Sequence, residues 1–344
     1  MSRWALTGRN DLDLNAACFE RERVLSREGG SEEDWRDLCR SWSSDLRTHL
    51  TEERWSQCAA SAAPASFLDG PEAESGGEPR PDLTRTEVHH GPRRLTITTD
   101  GVELVLLPRR GLAVESLRFP GVTGSPLLGT LPHGYFEDID WAADFYTGHT
   151  VLDLPARERI TDLEKTRPRI RVFSDRIEVL GQIETPLGSI PKCFRVFADH
   201  VELGYGFSKL GERPTGVLRT GFLTLHPDGL GEHLSLCCEN GGPRERFEIQ
   251  GDFDHGASVS PLVSSRALFG ATAGRLELDD GETSLEISWP NWKSAALPLL
   301  TARRVRDTRF IRLAFSLAEV DETCRPGAPL YDFQFALSAR RLSA

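Results

Sequence analysis

From about Thr86 onward the apolar residues recur at every second position, in short runs separated by polar two-residue turns. That period belongs to strands whose alternate side chains face a core. Leu95–Thr99 and Val102–Leu107 flank Asp100 and Gly101, a dipeptide suited to the tight turn of a hairpin. The pattern returns on either side of Ser174 and Asp175, of Asp199 and His200, and of Asp280 and Gly281. Further alternating runs cover Phe310–Phe315 and Tyr331–Phe335. No convincing helical period interrupts them. Short antiparallel strands in this number predict a mainly β domain, a large two-sheet supersandwich over residues 86–344. A span of that length far exceeds the roughly 100 residues of an immunoglobulin-like sandwich, and the lack of an internal repeat disfavours a propeller.

The N-terminal part reads differently. Leu14, Cys18 and Leu25 fall on one stripe of a first helix, which Gly29 and Gly30 end. Ser31 and Asp34 form a capping box for a second helix carrying Trp35, Leu38, Cys39, Trp42 and Leu46 on one face. The predicted organisation is therefore a helical segment over 1–58, a disordered linker over 59–85 and the β domain. The linker prediction rests on Ala, Ser, Pro, Gly and Glu, which bury too little apolar surface to offset ordering entropy.

Bulk composition excludes several function classes. The formal net charge is −11, so clustered Lys and Arg for a nucleic-acid partner are not expected. No apolar run reaches the roughly 18–20 residues needed to span a bilayer, so no membrane partner is expected. The N-terminus has no signal-peptide pattern. The seven cysteines make no Cys-x-x-Cys pair, which points to buried free thiols in a reducing cytoplasm and to no metal site. No P-loop, dinucleotide fingerprint, Gly-x-Ser-x-Gly or His-Glu-x-x-His occurs, and no cofactor is expected.

The densest polar and aromatic stretch runs from Gly134 to His149, with Asp138, Asp140, Asp144 and His149 set among Tyr135, Trp141 and Tyr146. Aromatic rings stack on the apolar face of a sugar while carboxylates accept its hydroxyl hydrogen bonds, so Asp138, Asp140, Trp141, Asp144, Tyr146 and His149 are candidate substrate-binding residues. The alternative is an acidic surface loop with its aromatics turned inward. His226 follows an alternating run that begins at Leu218, which places it at a strand terminus; an imidazole there can act as general acid or base near neutral pH, or can merely cap the strand. Glu239, Asp254 and His255 sit beside glycines in turns that either expose them as an acid/base group or only join strands. Trp289 and Trp292 supply either a stacking platform or a cover for the core edge. On the second helix Asp45 and His49 share a face and read as a surface ion pair.

Arg110–Gly121 (RGLAVESLRFPG) resembles the early strands of galactose-mutarotase-like supersandwich domains, and Glu184–Gly188 and the strand ending at His226 and Pro227 fit that picture. Trp4–Asn10 with Trp42–Asp45 is similar to the helical region after the catalytic barrel of glycoside hydrolase family 57 and polysaccharide-deacetylase-like enzymes. The resemblance implies the C-terminal half of such an enzyme, helical region plus β sandwich, with no counterpart of the barrel before Trp4. It implies a carbohydrate-binding or carbohydrate-processing protein whose partner is a sugar or glycan. In the family a His and a carboxylate of the cleft transfer protons, and His226 and Glu239 are the nearest matches. Apart from the resemblance, His255 and Trp292 are further candidate substrate-binding residues. Two alternatives stay open: a non-catalytic docking subunit for a separately encoded catalytic protein, and a stand-alone mutarotase or epimerase.

Overall fold

The computed structural model describes residues 11–41, 81–154, 159–210, 216–231, 233–239, 244–258, 265–271, 273–290, 296–320 and 330–342. The expected helix extension through Trp42 and Leu46, the Asp45/His49 pair, residues 59–80 of the expected linker and Trp292 lie outside the described residues.

Two helices, α1 (Asp11–Glu28) and α2 (Glu32–Ser41), stand where the sequence places them. Gly29 closes α1 at φ 80°, its N–H bonded to the Leu25 carbonyl, a left-handed position that glycine adopts without steric cost. The Ser31 hydroxyl accepts from the Asp34 N–H at 3.2 Å and Asp34 accepts from the Ser31 N–H at 3.0 Å. The capping box is thus formed in both directions. Cys18 and Leu38 are buried between the helices, with Leu25 and Trp35 against them. Cys39 is exposed rather than buried, because the contact between two short helices covers only the narrow stripe centred on Leu38. Neither helix is long and apolar enough to cross a membrane.

Beyond them the described strands form three antiparallel sheets. A five-stranded meander runs from Glu87 to Gly129 in chain order. A nine-stranded sheet has the strands Gly188–Val196, His200–Tyr205 and Phe333–Arg341 near its middle. The six-stranded sheet is centred on Leu297–Val305, Thr308–Ala318 and Val217–Thr224. Each hairpin predicted around a polar dipeptide is present, with Thr98 opposite Glu103, Val172 opposite Ile177, Val196 opposite Val201 and Asp279 opposite Ser284. The Phe310–Phe315 and Tyr331–Phe335 runs join different sheets. One core unites all three: Leu104 and Leu117 from the five-stranded sheet, Phe194 and Leu337 from the nine-stranded, Leu223 and Phe315 from the six-stranded. The fold is therefore a large, mainly β sandwich in which three antiparallel sheets share one core.

A buried ion pair pins the layers together. Lys192 on the nine-stranded sheet donates to Asp162 at 3.0 Å and to the Gly111 carbonyl at 2.8 Å, and both charged side chains are fully buried. Asp162 also accepts from the Thr150 N–H at 2.7 Å. Burial pushes the Asp162 carboxyl up and the Lys192 ammonium down, and each partner's charge opposes the other's shift. Gly111, at φ 58°, is required here, since a Cβ would lie 1.6 Å from the Asp162 carbonyl oxygen.

Candidate functional site

Alternation along the six-stranded sheet sends Leu218, Leu223, Leu313 and Phe315 into the shared core. Arg219 and Arg312 consequently face the other way. The register between Val217–Thr224 and Thr308–Ala318 shifts between Thr220 and Leu223, where Thr220 is opposite Phe315 and Leu223 opposite Leu313. One extra residue is thus accommodated at Gly221 and Phe222, a β-bulge that re-aims Phe222 onto the face carrying Arg312. Gly221 makes this possible at φ 67°; a Cβ there would sit 2.8 Å from the Phe335 ring.

The segment ending the acidic, aromatic stretch is laced to that bulge. The Gly148 N–H donates to the Phe222 carbonyl at 2.9 Å, the Gly221 N–H to the His149 carbonyl at 3.0 Å, and the Tyr205 hydroxyl to the Gly148 carbonyl at 3.0 Å. His149 is 6% exposed and stacks on Phe222 with ring centroids 4.4 Å apart and planes 18° from parallel. The Arg312 guanidinium carbon lies 4.5 Å from the centre of the same ring, and one of its terminal nitrogens donates to the Tyr146 carbonyl at 2.8 Å. The Tyr146 ring meets His149 edge-on at 6.5 Å, has Arg110 over it at 5.7 Å and donates its hydroxyl to Asp144 at 3.1 Å. Asp144 is itself anchored by the His133 N–H at 2.8 Å.

Two polar atoms in this cluster are buried without a hydrogen-bond partner, His149 Nδ1 and Arg312 Nε. Burial, helped by the charges of Arg312 and Lys192 and opposed by a hydrogen bond to the Tyr146 backbone, holds the His149 imidazolium well below the usual histidine range, so the ring is neutral at pH 7. Burial likewise brings the Arg312 guanidinium down to about 9. The Tyr146 phenol is raised by burial and then by Asp144.

Farther along the same sheet, Asp254 accepts from the Thr301 hydroxyl at 3.0 Å and the Gly256 N–H at 2.9 Å. Arg219 holds Glu319 through bonds of 3.1 and 3.2 Å and donates to the Gly256 carbonyl at 3.0 Å. His255 lies between Phe253 and Phe269, and burial lowers its proton affinity.

The structure thus brings Asp144, Tyr146 and His149 together and adds Phe222, Arg312 and Arg110. The other candidates are placed elsewhere. Trp141 packs against Phe136, Phe145 and Phe310 at 5.0–5.8 Å, in a small second core with Leu131 and Val305. The aromatic rings of Phe136, Trp141 and Phe145 are therefore turned inward. Asp138 caps the following turn by accepting from the Asp140 N–H at 3.0 Å, and Asp140 is exposed. His226 follows its strand as expected, with its ring against Tyr135 at 5.9 Å and Nδ1 3.4 Å from the Asp228 N–H. Glu239 ends a strand of the nine-stranded sheet opposite Arg244, whereas His226 follows the Val217–Thr224 strand of the six-stranded sheet, so the expected acid/base pair is drawn from different sheets. Trp289 is buried against Phe315. The missed residues had a faint signal: Arg312 interrupts an apolar run, and Phe222 is followed directly by Leu223, which breaks the alternation that begins at Leu218.

No family model matches the sequence, and neither does any curated protein. Among solved structures the chain is similar to a galactose mutarotase-like protein from Clostridium acetobutylicum, at 8% identity and a TM-score of 0.47, covering 76% of this chain and 99% of that one. It is similar to the Slr1438 protein from Synechocystis at 12% identity and a TM-score of 0.45, covering 77% and 99%. A third similar structure is 4-alpha-glucanotransferase from Thermococcus litoralis, at 10% identity and a TM-score of 0.42, of which this chain spans only 39%.

Proposed function

We propose that this protein binds carbohydrate at the cluster of Asp144, Tyr146, His149, Phe222 and Arg312. The observation that carries the reading is the triple stack: a neutral imidazole and a guanidinium on one phenylalanine ring, each with a buried polar atom unmet by the protein. Such atoms are costly to bury alone, and two of the four found among the described residues fall in this one cluster, the others being His255 Nδ1 and Gln334 Oε1. A sugar has both halves of what the cluster offers. Its hydroxyls reach the exposed Asp144 carboxylate and the accessible edge of the Arg312 guanidinium, and its C–H face rests on the partly exposed Tyr146 ring.

Binding is proposed rather than bond cleavage because of the groups around His149. Tyr146 and Arg312, its aromatic and cationic neighbours, both hold their protons at neutral pH. A proton-transfer pair needs a second titratable group on His149, and Asp144 is bonded to the Tyr146 hydroxyl instead.

The test is calorimetric titration of the full chain with neutral and acidic mono- and disaccharides, alongside Tyr146→Ala and Phe222→Leu. Each substitution is expected to weaken binding by roughly 10-fold or more, the loss of one stacking or positioning contact. Folded variants that bind as tightly as the parent would remove the cluster from consideration.

A further inference from the structure

Several half-buried arginines elsewhere on the sheets meet carboxylates: Arg219 meets Glu319, Arg195 meets Glu178 and Glu202, and Arg176 meets Asp175 and Glu178. Among the described residues Arg312 forms no such ion pair. Its guanidinium has one carbonyl and one aromatic face for company, and its Nε–H points at no acceptor. Neither contact neutralises a charge withdrawn from water.

The surroundings do not neutralise it either. His149 is uncharged at pH 7. Lys192 is already matched by Asp162. Arg110, exposed over the Tyr146 ring, adds a second positive charge, and Asp144 on the Tyr146 hydroxyl supplies one negative charge. Two guanidinium groups against one carboxylate leave a single positive charge beside an unmet donor. A guanidinium edge is shaped to grip a carboxylate or phosphate through parallel N–H bonds.

We infer that the sugar bound here is an acidic one, carrying a carboxylate or a phosphate that sits against Arg312. This inference rests on the carbohydrate reading above and narrows it. The anion supplies the negative charge that the surroundings of Arg312 lack, meeting the accessible edge of its guanidinium. The rest of the ring takes the Tyr146 face and the His149 edge.

The experiment compares four probes on the full chain at low salt: D-glucuronate, D-glucose 6-phosphate, D-glucose and inorganic phosphate. Either acidic sugar is expected to bind roughly 10-fold or more tightly than D-glucose, as a charged hydrogen bond predicts. The advantage should shrink as salt is added. Arg312→Gln is expected to weaken both acidic sugars by a larger factor than D-glucose, so that their advantage is lost, and Arg312→Lys to retain part of it. Should Arg312→Gln fail to fold, Arg110→Gln on the exposed rim is expected to reduce the advantage by a smaller factor. Equal affinity for D-glucose and both acidic sugars overturns the inference and leaves carbohydrate binding standing. Inorganic phosphate binding as tightly as glucose 6-phosphate overturns it too, because the sugar is then not read. Binding of none of the four overturns both.

Discussion

The outer face of the nine-stranded sheet and the Arg312 face of the six-stranded sheet use the same residue types to opposite ends. On the first, charges alternate across strands and neutralise each other. Arg195 sits between Glu178 and Glu202, Arg275 meets Glu286, Arg246 meets Asp279, and Arg244 and Arg340 converge on Glu277. A cavity of about 400 Å³ opens over Cys237, Glu277 and Asp279, yet the arginines lining it are all paired. Burial would raise Glu277, but hydrogen bonds from Ser284 and Arg340 and the charge of Arg244 hold it below the usual carboxylate range. On the second face Arg312 has an aromatic ring and a carbonyl instead of a carboxylate. Complete pairing accounts for the first face, whereas the incomplete pairing around Arg312 is what the binding proposal rests on.

The sharpest way to calibrate that contrast lies inside the core. Lys192→Met leaves Asp162 buried with its main cationic partner gone, and urea unfolding is expected to show a loss of about 3–5 kcal/mol. A much smaller loss would mean that buried charges here tolerate isolation, and the argument from Arg312 would lose its force.

Next in size is a pH effect. The folded His149 takes up a proton only well below its ordinary value of 6.5, while the unfolded chain does so near that value. The unfolded state therefore binds more protons as pH falls below about 6.5, and stability declines by up to about 1.4 kcal/mol per pH unit until the folded histidine titrates. His149→Leu should flatten that part of the profile. An unchanged profile would assign the slope to other groups.

Arg312 should behave unlike Lys192. Replacing it by Met removes an unpaired charge, so stability is expected to hold or to rise by about 1 kcal/mol, while acidic-sugar binding is lost. A large stability loss would make the Tyr146 contact structural. Smallest of all, Arg340→Ala should change stability by less than about 1 kcal/mol and leave sugar affinity untouched, since Glu277 keeps Arg244.

Much of the fold was legible because its determinants are local. The Ser31/Asp34 capping box and the hairpins around Asp100, Ser174, Asp199 and Asp280 each depend on residues a few positions apart. The candidate site was legible only in half. Asp144, Tyr146 and His149 stood out in one dense segment, but Arg312 lies 166 residues from Tyr146 and joins it only through strand pairing. Phe222 reaches the site by a bulge that no alternation rule predicts. Trp141 looked like a stacking platform because nothing near it in sequence announces Phe310, the ring it packs against at 5.0 Å.

The central claim concerns where a saccharide sits, and the His149 imidazole reports on that place. Its ring resonance, assigned through His149→Gln in a carbon–proton correlation spectrum, can be followed while D-glucuronate is added to the full chain. The expected result is a saturable shift of the His149 signal, with the signal of His200, which stacks on Phe197, unmoved. A titration that binds D-glucuronate while leaving His149 still and moving His226 or His255 would contradict the account.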